Sequence, residues 1–235
     1  MPPGQWGGLW LLEQLKSRDI RTPVIIVSGE GTQAETIQAL RLGAEDYVTK
    51  EQLSDELAER ILIALQARRT TNEVIYEKIK SGESDTVEFK STLRINLFTS
   101  RSDSAMELAC IKTVAGFLNA SGGDLLIGIT DDGDISGIER DQFPNVDKFQ
   151  LHFWNLIREA IGTEFSEFIE TSVAPLDQGT VFFVSCKPSE KPVFVKWKES
   201  GQPKGNEYFY VRTGPQTEMF GMRQALTYIN AHFKA

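Results

Sequence analysis

Between Ser104 and Ile138 the sequence runs through an amphipathic helix, a glycine pair and a short apolar run, and this order restricts the fold more than any other stretch. From Ser104 to Ala120, the residues Met106, Cys110, Val114, Phe117 and Leu118 recur at three- and four-residue intervals. That spacing places them on one face of a helix. Ser104 with Glu107 three residues later reads as a capping box, which satisfies two orphan amides at the helix start. Ser121-Gly122-Gly123 then ends the helix, because glycine takes the left-handed backbone that an exit requires. Asp124–Thr130 is mostly apolar, Asp132-Gly133 follows, and Asp134–Ile138 comes next. An Asp-Gly pair between two such runs predicts a β-hairpin with a two-residue type I′ turn.

The 235 residues leave room for one large domain or two ordinary ones, and 40% apolar content suits globular folding. No apolar run approaches the roughly 20 residues needed to span a bilayer, so no membrane partner is expected. Met1–Gly8 carries no basic stretch ahead of an apolar core, so it does not read as a secretory signal. Cys110 and Cys186 fall on an apolar helix face and in an apolar strand, as buried thiols of a reducing cytoplasm would. The net charge of −8 excludes a polycation, and any nucleic-acid contact must use a local basic face.

In the first seventy residues, helix and strand signals alternate. Leu9–Lys16 reads as a helix and Pro23–Val27 as a buried β-branched strand bounded by Ser28-Gly29. Thr32–Leu42 is a helix stopped by Gly43, Asp46–Thr49 a second strand, and Ser54–Arg69 a second long helix. This alternation predicts βα units on a parallel sheet. Residues 66–82 keep a helical rhythm to Gly82 and predict a semi-rigid helical linker.

Met1-Pro-Pro-Gly-Gln-Trp-Gly-Gly-Leu9, Thr22-Pro-Val-Ile-Ile-Val-Ser28 and Ala39–Lys50 together resemble the C-terminal half of a response-regulator receiver domain. The resemblance implies that Ser28 is the switch hydroxyl, Tyr47 the switch aromatic and Lys50 the lysine that contacts the phosphoryl group. The family's phospho-accepting Asp and its metal-binding acidic pair would precede Met1. Residues 1–68 are therefore expected to be a partial α/β receiver lacking the phospho-acceptor region, with an upstream histidine kinase as partner of the full-length parent. Acyl-phosphate formation needs a carboxylate nucleophile and a divalent cation held by oxygen ligands. The matched residues are those that would sense its product.

Beyond the linker, Thr86–Ser91 alternates as a strand with Val87 and Phe89 inward, and a polar loop follows over 92–103. Val146–Ile161 is a helix with Phe149, Phe153, Leu156, Ile157 and Ala160 apolar. Strands are expected near Phe168–Val173, Thr180–Cys186, Val193–Lys196 and Glu207–Arg212, and a closing helix over Gly221–Phe233. Strands that mostly follow one another argue an α+β domain, a mixed sheet backed by helices. Glu83–Lys90, Val114–Gly133 and Tyr208–Gly214 carry Glu-Phe-Lys, Phe-x-Asn-x-x-Gly-Gly, Gly-x-x-Asp-Asp-Gly and Tyr-Val-Arg-x-Gly. In this combination the stretch resembles the Schlafen AlbA_2 domain family. The expected organisation is thus 1–68 partial receiver, 69–82 helical linker and 83–235 AlbA_2-like domain.

Bacterial domains of that family are described as DNA-binding modules, while some Schlafen members are metal-dependent ribonucleases using three carboxylates. The second activity would fall to Glu83, Glu88 and Asp131 (with Asp132 as its neighbour), binding Mg²⁺ or Mn²⁺ to activate water, and Lys90 or Lys112 would clamp the phosphate. Against it, Glu88 on an alternating strand should face away from the core into solvent, and turns favour Asp for backbone reasons alone. The binding reading rests on Lys187, Lys191, Lys196, Lys198, Lys204 and Arg212, opposed by Glu190, Glu199 and Glu207. Phe194, Trp197, Tyr208 and Tyr210 interleave with these cations, as in surfaces that grip nucleic acid, although Phe194 and Tyr210 are expected in the core. This reading needs no cofactor and takes DNA ahead of RNA. A homodimer is the other expected partner, and a protein-interaction module without nucleic-acid contact is the third reading. His152 and His232 are too few and too separated for a metal site or a triad. Gly122-Gly123 lacks the Lys-Ser/Thr that would make it a phosphate loop.

Overall fold

The computed structural model describes residues 7–18, 22–29, 33–51, 53–197 and 206–233. The chain divides into two units, Met1–Glu73 and Val74–Ala235.

In the first unit, α1 (Gly8–Ser17), β1 (Ile25–Ser28), α2 (Gln33–Arg41) and β2 (Asp46–Thr49) precede the long helix α3 (Leu53–Ser81). The two strands run parallel, with Ile25 opposite Asp46 and Ser28 opposite Thr49, as the alternating pattern predicts. Leu12, Ala39 and Ala44 are buried, and Leu9, Val24, Ile26, Leu42 and Tyr47 gather around them. Arg60 ties α3 to β2, its guanidinium 2.6 Å from Asp46 and 2.8 Å from Glu56. Leu11, Val27, Ile37 and Leu40 stay exposed. Leu12, Ala39, Ala44 and Val48 are the buried apolar side chains among the described residues of the unit before α3, and a two-stranded sheet on so small a core is marginal in water. A peptide of residues 1–70 is expected to lose its circular-dichroism signal gradually on heating. A sharp cooperative transition would contradict that view of the unit.

The helix over 54–69 and the linker over 69–82 are one continuous helix, α3. Its last two turns belong to the second unit and are a layer of that domain rather than a spacer. Ile75 is fully buried among Val87, Phe89, Leu126, Ile129, Ala174 and Val181, with Ile79 alongside. Lys78 lies 2.6 Å from Asp124 and pins the same turns to the sheet.

That sheet runs in the order β3 (Val87–Lys90), β6 (Gly123–Ile127), β8 (Gly179–Cys186), β7 (Ile169–Leu176). β3 is parallel to β6, and the remaining pairs are antiparallel, so the sheet is mixed, as expected. Alternation along the strands divides its side chains between two covered faces. Phe89 and Leu126 join the end of α3. Leu125, Ile127, Phe182 and Val184 face α4 (Ser104–Leu118) and α5 (Val146–Ala160). Edge-to-face ring contacts fill that side, Phe149 on Phe182 at 5.1 Å and Phe153 on Phe182 at 5.0 Å.

A second, three-stranded antiparallel sheet runs β11 (Gln216–Phe220), β10 (Asn206–Thr213), β9 (Phe194–Trp197). Val195 and Tyr210 belong to the main core with α4, while Phe209 and Val211 pack on Ala225 of α6 (Met222–His232). α4 is the shared layer between the two sheets. At Gly116 a Cβ would meet the Thr217 Cγ2 at 2.8 Å, so the helix approaches β11 through its missing side chain.

Three local expectations are corrected. Asp103, not Ser104, caps α4 by accepting from the Ala105 N–H at 2.9 Å, and Glu107 instead meets His152 Nε2 at 2.7 Å. The Asp-Gly turn is not type I′, because that turn needs a positive φ at both central residues. Among the described residues only Ser100 and Gln142 are non-glycines with positive φ. Instead the Gly133 N–H donates to the Thr130 carbonyl at 2.9 Å with Gly133 at φ +85, a three-residue loop, and the hairpin shrinks to one bridge between Ile129 and Ile135. Lastly, the loop over 92–103 contains a small hairpin, β4 (Ile95–Asn96) and β5 (Arg101–Ser102).

Both cysteines are buried and free. Burial pushes the Cys110 thiol up to about 12, which makes it inert at neutral pH, and raises Cys186 as well. Among the described residues no helix is long and apolar enough to cross a membrane.

Candidate functional site

Three motif residues of the second unit, Glu88, Lys90 and Arg212, meet in one largely buried charge cluster. Arg212 on β10 is only 6% exposed. Its Nη1 donates to Glu88 Oε2 at 2.7 Å and to Thr217 Oγ1 at 3.3 Å. Nη2 donates to the Ser84 and Val87 carbonyls and Nε to that of Asp85. The guanidinium sits 5.0 Å over the Phe117 ring. Glu88 lies on β3 opposite Leu125 and therefore faces the α4 side of the sheet. Its second oxygen accepts from Lys90 Nζ. Glu83 Oε1 accepts from the Phe89 N–H at 2.8 Å and folds the chain back at the start of β3. A carboxylate largely withdrawn from water must be paired, and Glu88 is paired twice.

The glycine-pair motif works in the same way. Asn119, just past the end of α4, donates from Nδ2 to the Val193 and Tyr210 carbonyls, both at 2.8 Å. Its Oδ1 accepts from the Val193 N–H at 2.8 Å. One side chain thus bonds the main chain of β10 and of the residue before β9, and joins both to the helix. The Tyr228 hydroxyl of α6 closes the other side by donating to the Asn119 carbonyl at 2.8 Å.

These placements change the expected sites. Glu88 does not face bulk solvent, because both sheet faces are covered. Asp131 sits exposed on the three-residue loop, and among the described residues no group of three His, Cys, Asp or Glu side chains comes together to hold a metal ion. Glu83, Glu88 and Asp131 are therefore not gathered around a common ion, and Lys90 is occupied by Glu88. Arg212 is likewise absent from the basic surface, having been drawn inward by Glu88.

The described members of the remaining set stay outside. Lys187, at the end of β8, is exposed and paired with Glu170. Lys191 is exposed. Lys196 is 69% exposed and lies 3.5 Å from Glu207, its partner in the β9–β10 register. Such surface pairs are weak and open readily to a stronger anion. Lys198 and Lys204 lie outside the described residues. Phe194 shares the outward face of β9 with Lys196 at 39% exposure, contrary to the expected core position, and its ring is 5.1 Å from Phe209. Tyr210 is buried, as expected.

In the first unit, the Lys50 N–H donates to the Ser28 carbonyl at 2.8 Å, and the Lys50 side chain runs beside Gly29. Ser28 and Lys50 are thereby brought together at the carboxyl ends of β1 and β2, the edge where open α/β sheets bind ligands. Tyr47 packs on the small core of that unit.

Asp141 escaped the sequence reading. Its buried carboxylate accepts from the Leu93, Arg94 and Ile95 N–H groups at 2.8, 2.8 and 3.1 Å. Burial pushes this carboxyl up while the three donors pull it down. The partners lie 46 to 48 positions away, beyond the reach of any local pattern.

Parallel βα units followed by an α+β domain held by the Glu88–Arg212 ion pair define a two-part chain, a receiver-like region and a mixed-sheet domain. Residues 83–220 match the Schlafen, AlbA_2 family, and the chain belongs to that family. Residues 1–62 match the response regulator receiver domain. Over that part the chain is 40% identical, across 62 residues, to the C4-dicarboxylate transport transcriptional regulatory protein DctD of Pseudomonas aeruginosa, covering 26% of this chain and 13% of DctD. It is 39% identical over 75 residues to the transcriptional regulatory protein YkoG of Bacillus subtilis, covering 32% of each. The chain thus spans a third or less of these relatives. Among solved structures it is similar to the DIP2311 protein from Corynebacterium diphtheriae, at a TM-score of 0.43 and 15% identity over 64% of this chain and 28% of that one.

Proposed function

We propose that the chain is part of a signal-responsive regulator in which the receiver-type region reads a phosphorylation state and the AlbA_2 domain binds nucleic acid, with DNA as the first candidate. The observation that carries this reading is the exposed β9–β10 surface. Lys196 stands there beside the half-exposed Phe194, and Lys191 is exposed on the segment leading into β9, in a chain of net charge −8. Cations beside aromatic faces are suited to phosphates and bases together. The names of DctD and YkoG, both transcriptional regulatory proteins, agree with a regulator upstream of DNA. Placing Ser28 beside Lys50 supports a switch role for that pair, with a histidine kinase as the partner of a complete receiver and a homodimer as a further assembly. Binding of this kind needs no cofactor. The cytoplasm suits two buried free thiols.

Cleavage is the weaker alternative, because Glu88 has committed both oxygens to Arg212 and Lys90. The test is the affinity of the full chain for a fluorescein-labelled DNA duplex as a function of salt. Lys191→Glu with Lys196→Glu is expected to weaken binding at least tenfold and to reduce the slope of log Kd against log salt by about 2, close to one unit per lost phosphate contact. Unchanged affinity and slope would remove the lysine surface from the account.

A further inference from the structure

The hairpin within residues 92–103 carries a feature that the lysine surface does not explain. β4 and β5 pair Ile95 with Ser102 and Asn96 with Arg101. Between them, Leu97–Ser100 form the tip, where Phe98 is 102% exposed. Leu97 beside it is 44% exposed. Exposed apolar side chains are ordinary on a surface, but Phe98 is held on a rigid mount. Asn96 Oδ1 accepts from the Phe98 N–H at 3.0 Å and the Thr99 N–H at 3.3 Å. The Ser100 N–H donates to the Asn96 carbonyl at 2.8 Å, and Ser100 holds a left-handed φ of 55 without being glycine. Asn96 Nδ2 also donates to Asp103 Oδ2 at 3.0 Å.

The root is fixed as well. The buried Asp141 carboxylate receives three consecutive N–H groups there. The Arg94 guanidinium donates to the Asp141 and Gln142 carbonyls and lies 3.6 Å over the Phe143 ring. The backbone that presents the ring has already lost the entropy that ordering a loop on contact would otherwise cost, and only the two χ angles of the phenylalanine remain to be fixed.

Charge selects the partner. From Ser91 to Ser102 the sequence contains Arg94 and Arg101 and no acidic residue. Of the two carboxylates that bond the hairpin, Asp103 is engaged by Asn96 and the helix cap, and Asp141 is buried. A flat exposed ring with a cation at the base of its tip matches a base and its phosphate, since every base offers a face to stack on.

We propose that the β4–β5 hairpin is a stacking platform for an unpaired nucleobase, with Phe98 taking the base and Arg101 the adjoining phosphate. This rests on the nucleic-acid reading above and adds to it a preference for single-stranded or opened DNA.

The experiment compares full-chain variants for binding to a short fluorescein-labelled single strand of mixed DNA sequence and to an abasic strand of equal length. Phe98→Ala is expected to weaken binding to the base-bearing strand about tenfold. Phe98→Leu should match it, Phe98→Trp should retain affinity, and none should alter the salt slope or the affinity for the abasic strand. Thermal melting should not move, because the ring is fully exposed. Three results would overturn the platform: wild-type affinity in Phe98→Ala, full rescue by leucine, or equal losses on the abasic strand. Phe98-dependent capture of phosphatidylglycerol vesicles without any effect on DNA would reassign the hairpin to a membrane surface and also overturn it. If Lys191→Glu with Lys196→Glu weakens binding while Phe98→Ala does not, the platform fails and the nucleic-acid reading stands. If the wild type binds no DNA, both fall.

Discussion

Arg212→Ala is expected to lower the unfolding free energy by about 3–5 kcal/mol, the loss that follows when one partner of a buried ion pair is removed. The guanidinium has no substitute. It neutralises Glu88, which would remain between α4 and the sheet with only Lys90, and it satisfies carbonyls of Ser84, Asp85 and Val87. It also joins β10 of one sheet to β3 of the other, so its loss should loosen both. Urea unfolding checks the magnitude, and Arg212→Lys should recover only part of it, since an ammonium cannot span five acceptors in a plane. A loss below about 1 kcal/mol would mean that the pair behaves as a solvated surface bridge.

Asn119→Ala is expected to be the second largest effect, at about 2–4 kcal/mol. It removes the Asn119 bonds to buried main-chain groups of Val193 and Tyr210, and a buried group that loses its partner costs about 1–3 kcal/mol before relaxation. Asn119→Asp separates bonding from size. It preserves the acceptor for the Val193 N–H but loses both donations from Nδ2 and buries a charge. It should therefore be at least as destabilising as alanine, with the earliest loss of amide-exchange protection in β9 and β10. Wild-type stability in the aspartate variant would refute the clamp.

Much of the fold is legible in periodicity. The alternation of Val87 and Phe89 and the strand runs ending in Cys186 and Arg212 appear where the pattern puts them. The one-faced spacing from Met106 to Leu118 is only half of α4, where Ile111, Thr113, Ala115 and Gly116 are buried too because a sheet lies on each side. What stays hidden is set by partners distant in sequence. Glu88 looks solvent-facing on an isolated strand, but α4 covers that face and Arg212, 124 residues later, supplies the charge that lets the carboxylate stay there. Lysine and arginine are equivalent in a count of charge, yet Arg212 goes inward and Lys196 outward, since a planar guanidinium can satisfy several carbonyls and a carboxylate at once. The same limit applies to Ile75. A helical linker and a helix packed on a sheet have the same local rhythm, and its burial depends on Phe89 and Leu126.

The most direct test of binding without cutting is one titration. The full chain is added to labelled DNA with Mn²⁺ present at several salt concentrations, and anisotropy and strand integrity are read from the same samples. The account predicts affinity that falls steeply as salt rises, over strands that remain intact. Affinity indifferent to salt, or strands cleaved by the wild type and spared by Glu88→Ala, would contradict it.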